Sequence, residues 1–541
     1  MKIQKRLITA VAFLFFLMAL AAVPASAGVE EIMTCDMVGI GSTALTADVT
    51  GVQILSATPD TAGSGSSAVP YCLVKVLVPQ AINIWVGLPT GGNWNQRLQS
   101  LGGGGYAGSV SKPTSAVLAG YVGITTDTGH TGGSGTFGML YPKTSTSPGA
   151  PNIPLQIDFS YRSEHLMAVI GKQLIDAFYG TNKLLYSYWN GCSTGGRQGL
   201  AMAQRYPEDY NGILSGAPAI HFDRFQAEQI WPQMVQYRDA GYVISTAKKT
   251  LATNAAIAAC DALDGVVDGL LTDPRVCTYD AQNLVTKTCT SSDAICLTAS
   301  EASAINKMWF GATNEKGNKL LWYGQTRGTN LDGLGGTIPF SIATAQPKYW
   351  VYFDPNWDWH VLDYGNYEAF FDDTVFEMAA SGTATDNPNL APFRDHGSKI
   401  IIWHGFNDQL IMPEGTIDYY DQVVNYLGGG YDHVKDFARL FMAPGVGHCG
   451  GGAGPSPQNT FNYVVDWVEN GVVPDTILAA HTTTVRNPDG TFTTTIDRTR
   501  PLCPYPDVAV WTGEGSTDEA ANFVCKRGRD NYPHRNRQTT P

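Results

Sequence analysis

The sequence predicts an α/β fold, a sheet core split by a large inserted segment, and three observations carry that prediction. First, Leu184-Leu-Tyr-Ser-Tyr-Trp-Asn-Gly-Cys-Ser-Thr-Gly-Gly-Arg-Gln-Gly199 reads as a strand, a glycine-flanked turn and a helix. Tyr186–Trp189 is aromatic and strand-like, while Leu200, Ala201 and Ala203 suit a packed helix face. Second, two short apolar runs far downstream, Lys399–Trp403 and Ala438–Met442, each end in a glycine-containing loop. Third, the long stretch between these two regions has a different character, with an Asp/Gly-rich loop and a cluster of aromatics.

The turn is the chemical centre. Gly191-Cys192-Ser193-Thr194-Gly195 fits the G-x-S-x-G elbow, a turn so tight that glycines flank it and the serine hydroxyl is pushed out above the sheet edge. A serine nucleophile needs a general base, and the base needs an orienting carboxylate. On an α/β-hydrolase sheet these follow in the order Ser, acid, His, on loops after late strands. Asp408 follows the first late strand, in His404-Gly-Phe-Asn-Asp408, and His448 follows the second, in Pro444-Gly-Val-Gly-His448. Ser193, Asp408 and His448 are therefore the expected triad. His404, close to Asp408, is expected to shape the pocket floor. The oxyanion hole is expected to use the N–H of Thr194 and one from Gly102–Gly105, with Gly104 and Gly105 preferred.

The reading divides the chain into a signal peptide (1–27), a discontinuous α/β-hydrolase core (28–219 and 390–541) and a lid (220–389). Lys2, Lys5 and Arg6, an apolar run from Leu7 to Val23, and Ala25-Ser-Ala27 form a cleavable leader, which implies a secreted or periplasmic protein. About 510 residues follow, too many for one ordinary core. A net charge of −13 without a basic stripe argues against nucleic acid as a partner. No later apolar run is long enough to span a bilayer. Oligomeric state is not readable.

Ten cysteines in an exported chain suggest five disulfides. Spacing suggests the local pairs Cys35–Cys72, Cys260–Cys277, Cys289–Cys296 and Cys503–Cys525. That leaves Cys192, beside the serine, and Cys449, beside the histidine. If they pair, the bridge holds nucleophile and base together, although sequence alone does not fix connectivity.

Together, Gly191-Cys-Ser-Thr-Gly-Gly-Arg-Gln-Gly199, Tyr206-Pro-Glu-Asp-Tyr210, Gly216-Ala-Pro218, Trp403-His-Gly405 with Asp408, and Gly447-His-Cys-Gly-Gly-Gly452 resemble the tannase/feruloyl esterase family. Thr126-Asp-Thr-Gly-His130, Tyr161-Arg162 with His165, and Arg500-Pro-Leu-Cys-Pro504 extend the likeness over nearly the whole mature chain. The resemblance implies an α/β-hydrolase core with an inserted lid, catalytic roles for Ser193, Asp408 and His448, and a Cys192–Cys449 bridge. It also implies a structural lid Ca²⁺. Asp261, Asp264 and Asp268 share one loop clamped by Cys260 and Cys277, and three carboxylates with main-chain carbonyls suit calcium's six to eight oxygens. By resemblance those carbonyls are those of Val266 and Leu270. The loop lies far from the triad motifs in sequence, so a structural role is expected.

The function expected is a secreted serine esterase acting on esters of aromatic acids, hydroxybenzoic or hydroxycinnamic, of the feruloyl esterase or tannase type. The same family includes mono(2-hydroxyethyl) terephthalate hydrolase, so a terephthalate monoester is the alternative. A free carboxylate would favour a cation, yet between residues 328 and 393 only Lys348 and His360 offer positive charge, with Arg327 and Arg394 just outside. The lid aromatics Tyr349–Trp359 are candidates for a substrate wall, though most suit core packing better. More distant alternatives are a serine peptidase on the same sheet and a non-catalytic polymer-binding protein. No redox or nucleotide cofactor is implied, because Gly102–Gly105 lacks the G-x-G-x-x-G spacing.

Overall fold

The structure, a computed structural model, describes residues 29–38, 45 and 50–528; the leader lies outside the described residues. Nine strands form the main sheet: β1 (Gln53–Ala62), β2 (Val69–Val78), β3 (Ile82–Pro89), β4 (Arg97–Leu101), β5 (Val122–Thr126), β6 (Tyr186–Cys192), β7 (Gly212–Gly216), β8 (Lys399–Gly405) and β9 (Ala438–Ala443). They lie in the order 1-2-3-5-4-6-7-8-9. The first three pair antiparallel, as does β3 with β5. From β5 to β9 every pairing is parallel. This is the α/β-hydrolase arrangement. The carboxyl ends of β6, β8 and β9 open on the same side, where ligands of parallel sheets bind.

Both faces of the parallel half are covered, and the strands alternate accordingly. Ile400 and Ile402 of β8 enter one apolar cluster with Met167, Ile170 and Leu174 of α1 (Ser163–Tyr179) and with Leu200 of α2 (Thr194–Arg205). Ile401 and Trp403 face the opposite cluster, with Val464 and Trp467 of α3 (Thr460–Asn470). Trp189 and Tyr188 of β6 divide between the two clusters in the same way. The helix face expected from Leu200, Ala201 and Ala203 is buried.

Among the described residues, 217–398 supply no strand to this sheet. Most of that stretch folds on a third apolar cluster, built on Trp231, Met234, Ile305, Met308, Trp350 and Phe370. Tyr106, Phe137 and Phe159 from the sheet side join this cluster, so the inserted segment is packed onto the glycine-rich loop after β4. Trp350 donates its indole N–H to the Gly135 carbonyl at 2.9 Å and stacks on Tyr106 at 5.7 Å. For Trp350, core packing is therefore the outcome. No helix of the described residues is long and apolar enough to cross a membrane.

All five expected bridges are present: Cys35–Cys72, Cys192–Cys449, Cys260–Cys277, Cys289–Cys296 and Cys503–Cys525.

Candidate active site

Strand β6 runs into the elbow with Ser193 at φ 64° and ψ −125°, a strained conformation for a non-glycine residue. The turn closes so tightly that a Cβ on Gly191 would lie 2.5 Å from backbone atoms of Gly195. Three main-chain bonds hold Ser193 in place: its N–H donates to the Gly216 carbonyl at 2.9 Å, and its carbonyl accepts from Arg197 at 3.0 Å and from Ala219 at 3.1 Å.

The Cys192–Cys449 bridge spans 257 residues and brings the two α-carbons to 6.0 Å, so the neighbours Ser193 and His448 are drawn to one place. His448 Nδ1 is 2.7 Å from Asp408 Oδ2. Asp408 is buried, and its other oxygen accepts the N–H groups of Leu410 at 2.8 Å and Ile411 at 2.9 Å. Burial works against its charge. Hydrogen bonds from His404 and His448 outweigh that cost and hold the carboxyl well below the usual carboxylate range. The acid is thus ionised wherever the protein is folded near neutrality.

His404 differs from its expected place. It does not shape a pocket floor: it is fully buried, its Nε2 lies 2.9 Å from Asp408 Oδ2, and its Nδ1 lies 2.8 Å from Thr416 Oγ1. The periodicity of β8 explains this, because His404 comes one residue after Trp403 and points to the opposite side of the sheet. Gln409 adds a contact that sequence reasoning missed, its Oε1 accepting the His448 N–H at 3.1 Å.

The glycine-rich loop lies beside the elbow. Gly102 donates to the Asn190 carbonyl at 2.9 Å, and a Cβ there would meet Gly195 Cα at 2.5 Å, so only glycine lets the two backbones approach. Gly103 donates to Gln198 Oε1 at 2.9 Å and is thereby occupied. Among the described residues the N–H groups of Gly104 and Gly105 meet no protein acceptor. Thr194 Oγ1 donates to the Gly105 carbonyl at 2.6 Å and ties the loop to the helix that starts at the elbow.

Set against known proteins, residues 72–526 match the family described as tannase and feruloyl esterase. The chain belongs to the tannase and feruloyl esterase family. It is 33% identical over 491 residues to a probable feruloyl esterase of Arthroderma benhamiae, covering 87% of this chain and 88% of the relative. It is 30% identical over 457 residues to feruloyl esterase B of Aspergillus niger, covering 80% and 82%. In structure it is similar to feruloyl esterase B from Aspergillus oryzae, with TM-score 0.77 and 25% identity over 91% of this chain and all of that one. Tannin acyl hydrolase from Aspergillus niger is also similar, with TM-score 0.74, 25% identity and coverage of 92% and 95%. As a member of this family the chain is a carboxylic ester hydrolase.

Behind the family's glycine loop lies a buried relay without an obvious sequence signal. Gln198, which positions Gly103, donates its amide to Glu164 Oε1. Glu164 is completely buried, its second oxygen has no hydrogen-bond partner, and burial pushes its carboxyl up to about 7. Because this value is raised above the ordinary 4.5, the stability contribution is full below about 4.5 and is lost as pH rises through about 7. Glu164→Gln, which keeps an acceptor for Gln198, is expected to melt as wild type does at pH 4.5. At pH 8 it should be more stable, by on the order of 3 kcal/mol. Denaturant unfolding at the two pH values measures this difference.

The acidic loop carries hard oxygen donors. Asp261 accepts the N–H groups of Asp268 at 3.2 Å and Gly269 at 3.0 Å, and Asp264 accepts those of Val266 at 2.9 Å and Thr272 at 3.3 Å. Asp268 is paired with Arg500, with Arg498 at 3.8 Å. The carbonyls of Val266 and Leu270 accept no hydrogen bond among the described residues, which leaves them available as ligands. No three of the loop's carboxylates converge within 4.8 Å of one another. The donor chemistry fits calcium. Although remote in sequence, the loop touches the loop that carries His448: a Cβ on Gly445, three residues before His448, would lie 2.6 Å from Leu270 Cδ2.

Of the cations weighed for an acidic substrate, Arg394 lies against Asp395 and His433, and Arg327 donates to the Tyr279 carbonyl above Trp309. Lys348 lies close to Asp358, whose carboxyl its charge helps to lower.

Proposed function

We propose that this esterase is secreted and hydrolyses esters of aromatic acids, as a feruloyl esterase or tannase does, through an acyl-enzyme on Ser193. The observation that supports this most is the 2.7 Å His448–Asp408 bond, linked by the Cys192–Cys449 bridge to a serine on a strained elbow. His448, oriented by Asp408, takes the proton from Ser193 as it attacks the ester carbonyl. The N–H groups of Thr194 and of Gly104 or Gly105 hold the developing oxyanion. His448 then protonates the leaving alcohol and activates water for deacylation. His404 adds a second hydrogen bond to Asp408, which keeps the acid ionised and fixed. Residues 220–389 serve as the lid. The similar proteins named for ferulate and tannin esters favour an aromatic acyl group over the peptidase and binder readings.

The test is hydrolysis of methyl gallate, methyl ferulate, chlorogenate and a terephthalate monoester by the purified protein, with Ser193→Ala alongside. Ser193-dependent preference for one aromatic acid supports the proposal. Equal inertness of both proteins on all four overturns it.

We further propose that Asp261, Asp264 and Asp268, with the carbonyls of Val266 and Leu270, hold a structural Ca²⁺. When bound, the ion supplies positive charge that ties the three carboxylates to one loop. EDTA is expected to lower the Tm by several degrees, and added calcium to restore it. An Asp264→Asn variant should not respond to either. Identical melting of the wild type with EDTA and with calcium would refute the site.

A further inference from the structure

We propose that Gln198, backed by Glu164, is a positioning residue of the oxyanion hole: it holds the glycine-rich loop in the conformation that leaves the Gly104 and Gly105 N–H groups free for substrate. The proposal rests on the serine-esterase reading and names the side chains that aim its oxyanion donors.

Gly102–Gly105 has no side chains with which to fix its backbone, and glycine has more conformational freedom to lose than any other residue. Packing does not supply the restraint at the tip of the loop. Gly104 is exposed, and a Cβ there would meet nothing within 4 Å. Oxyanion donors are effective only when they are aimed before the charge develops. The restraint must therefore come from hydrogen bonds on either side of Gly104, and one helix provides both. Gly103 donates to Gln198 Oε1 at 2.9 Å, and the Gly105 carbonyl accepts from Thr194 Oγ1 at 2.6 Å. Thr194 and Gln198 lie one helical turn apart and share a face of α2. The same helix follows directly on Ser193, whose carbonyl accepts the Arg197 N–H at 3.0 Å. Loop and nucleophile are thus registered to each other by a single rigid element.

An amide can hold the loop only if it does not turn over. Gln198 is buried, and its two ends meet different partners: its oxygen takes the Gly103 N–H, and its N–H₂ donates to Glu164 Oε1. Turned over, it would set its N–H₂ against the Gly103 N–H and leave that donor unmet. Glu164, reaching across from α1, fixes the direction of the amide. The carboxyl is costly where it stands. It is fully buried, its Oε2 has no hydrogen-bond partner, and burial raises its pKa. A buried acid spent on orienting Gln198 is accounted for by what Gln198 does at its other end.

The test pairs steady-state kinetics on a methyl ester of an aromatic acid with inhibition by phenylboronic acid. The serine oxygen adds to boron and its proton passes to His448, which gives a tetrahedral adduct that engages the oxyanion donors. Glu164→Met/Gln198→Met replaces the polar pair by apolar chains of similar length and removes the bond to Gly103 without orphaning either member of the pair. It should melt close to wild type, lower kcat by roughly 30-fold with KM nearly unchanged, and weaken phenylboronic acid by the same factor. Glu164→Gln/Gln198→Glu exchanges the two ends, so that a carboxylate at 198 accepts from Gly103 and from the amide at 164. Its kcat and inhibition should return to within about three-fold of wild type.

A folded methionine pair with wild-type kcat and inhibition overturns the proposal, as does an exchanged pair as slow as the methionine pair. A slowed methionine pair whose inhibition is unchanged also overturns it, because the loss then lies outside the oxyanion hole. Should the methionine pair not fold, Gln198→Met alone carries the first comparison. Wild type that turns over the ester no faster than Ser193→Ala would count against the esterase reading instead, which keeps the two failures apart.

Discussion

Ser193→Ala is expected to lower kcat on aromatic esters by ~10⁴-fold or more while the protein stays folded and still binds substrate. The size follows from what the hydroxyl does. In the proposed mechanism it forms the covalent bond that splits one difficult substitution into two easier ones, and no other hydroxyl is held at the apex of this elbow. The residual rate reflects the oxyanion donors and binding, which the mutation leaves in place. Alanine also relieves no packing, since Ser193 is half-exposed and its backbone bonds to Gly216 and Ala219 do not involve the side chain. Steady-state kinetics with a folded-state control measure the effect. A fall of less than ~10²-fold would mean that the nucleophile lies elsewhere.

Asp408→Asn is the second large effect, expected to reduce kcat by ~10⁴-fold. The single amide oxygen can accept from both His448 and His404 only by turning the NH2 group onto the N–H donors of Leu410 and Ile411, a clash the carboxylate avoids. With its oxygen toward the Leu410 and Ile411 amides, it would present N–H groups to two imidazoles and reverse the tautomer His448 needs. The charge that stabilises the imidazolium is lost as well. The carboxyl sits below the usual range in the folded state, so its contribution to stability is present above the unfolded pKa and is lost as pH falls through the folded value. The variant should therefore also lose stability near neutral pH, a loss that shrinks in strong acid. His404→Ala is the informative companion: it removes one bond to Asp408 but leaves the His448 contact, so its kcat should fall less than that of Asp408→Asn.

Much of this site was legible because its parts are local. The elbow needs glycines at fixed offsets around Ser193, and the strand before it declares itself by aromatic residues. Asp408 and His448 each follow a short apolar strand, and each apolar run became a buried parallel strand. The cysteine neighbours linked two regions that periodicity alone cannot relate, because a disulfide is a long-range contact written in residue type. What remained hidden depends on packing between elements with no such mark. Gln198 stood within the quoted elbow string, yet its bond to Gly103 and its partner Glu164 across two helices leave no spacing signature. His404 was placed at the pocket because it ends a strand, but the alternation of β8 turns it under Asp408. The acidic loop was read as distant from the triad, and only the fold brings Leu270 against Gly445.

The most direct test of the central claim is to mix the enzyme with an excess of a slowly deacylating aromatic ester, quench in acid, and locate any added mass by peptide mass spectrometry. The account predicts one acyl group, on the peptide containing Ser193 and on that residue, and none in Ser193→Ala. An acyl group on a different residue, or full turnover by Ser193→Ala, would contradict it.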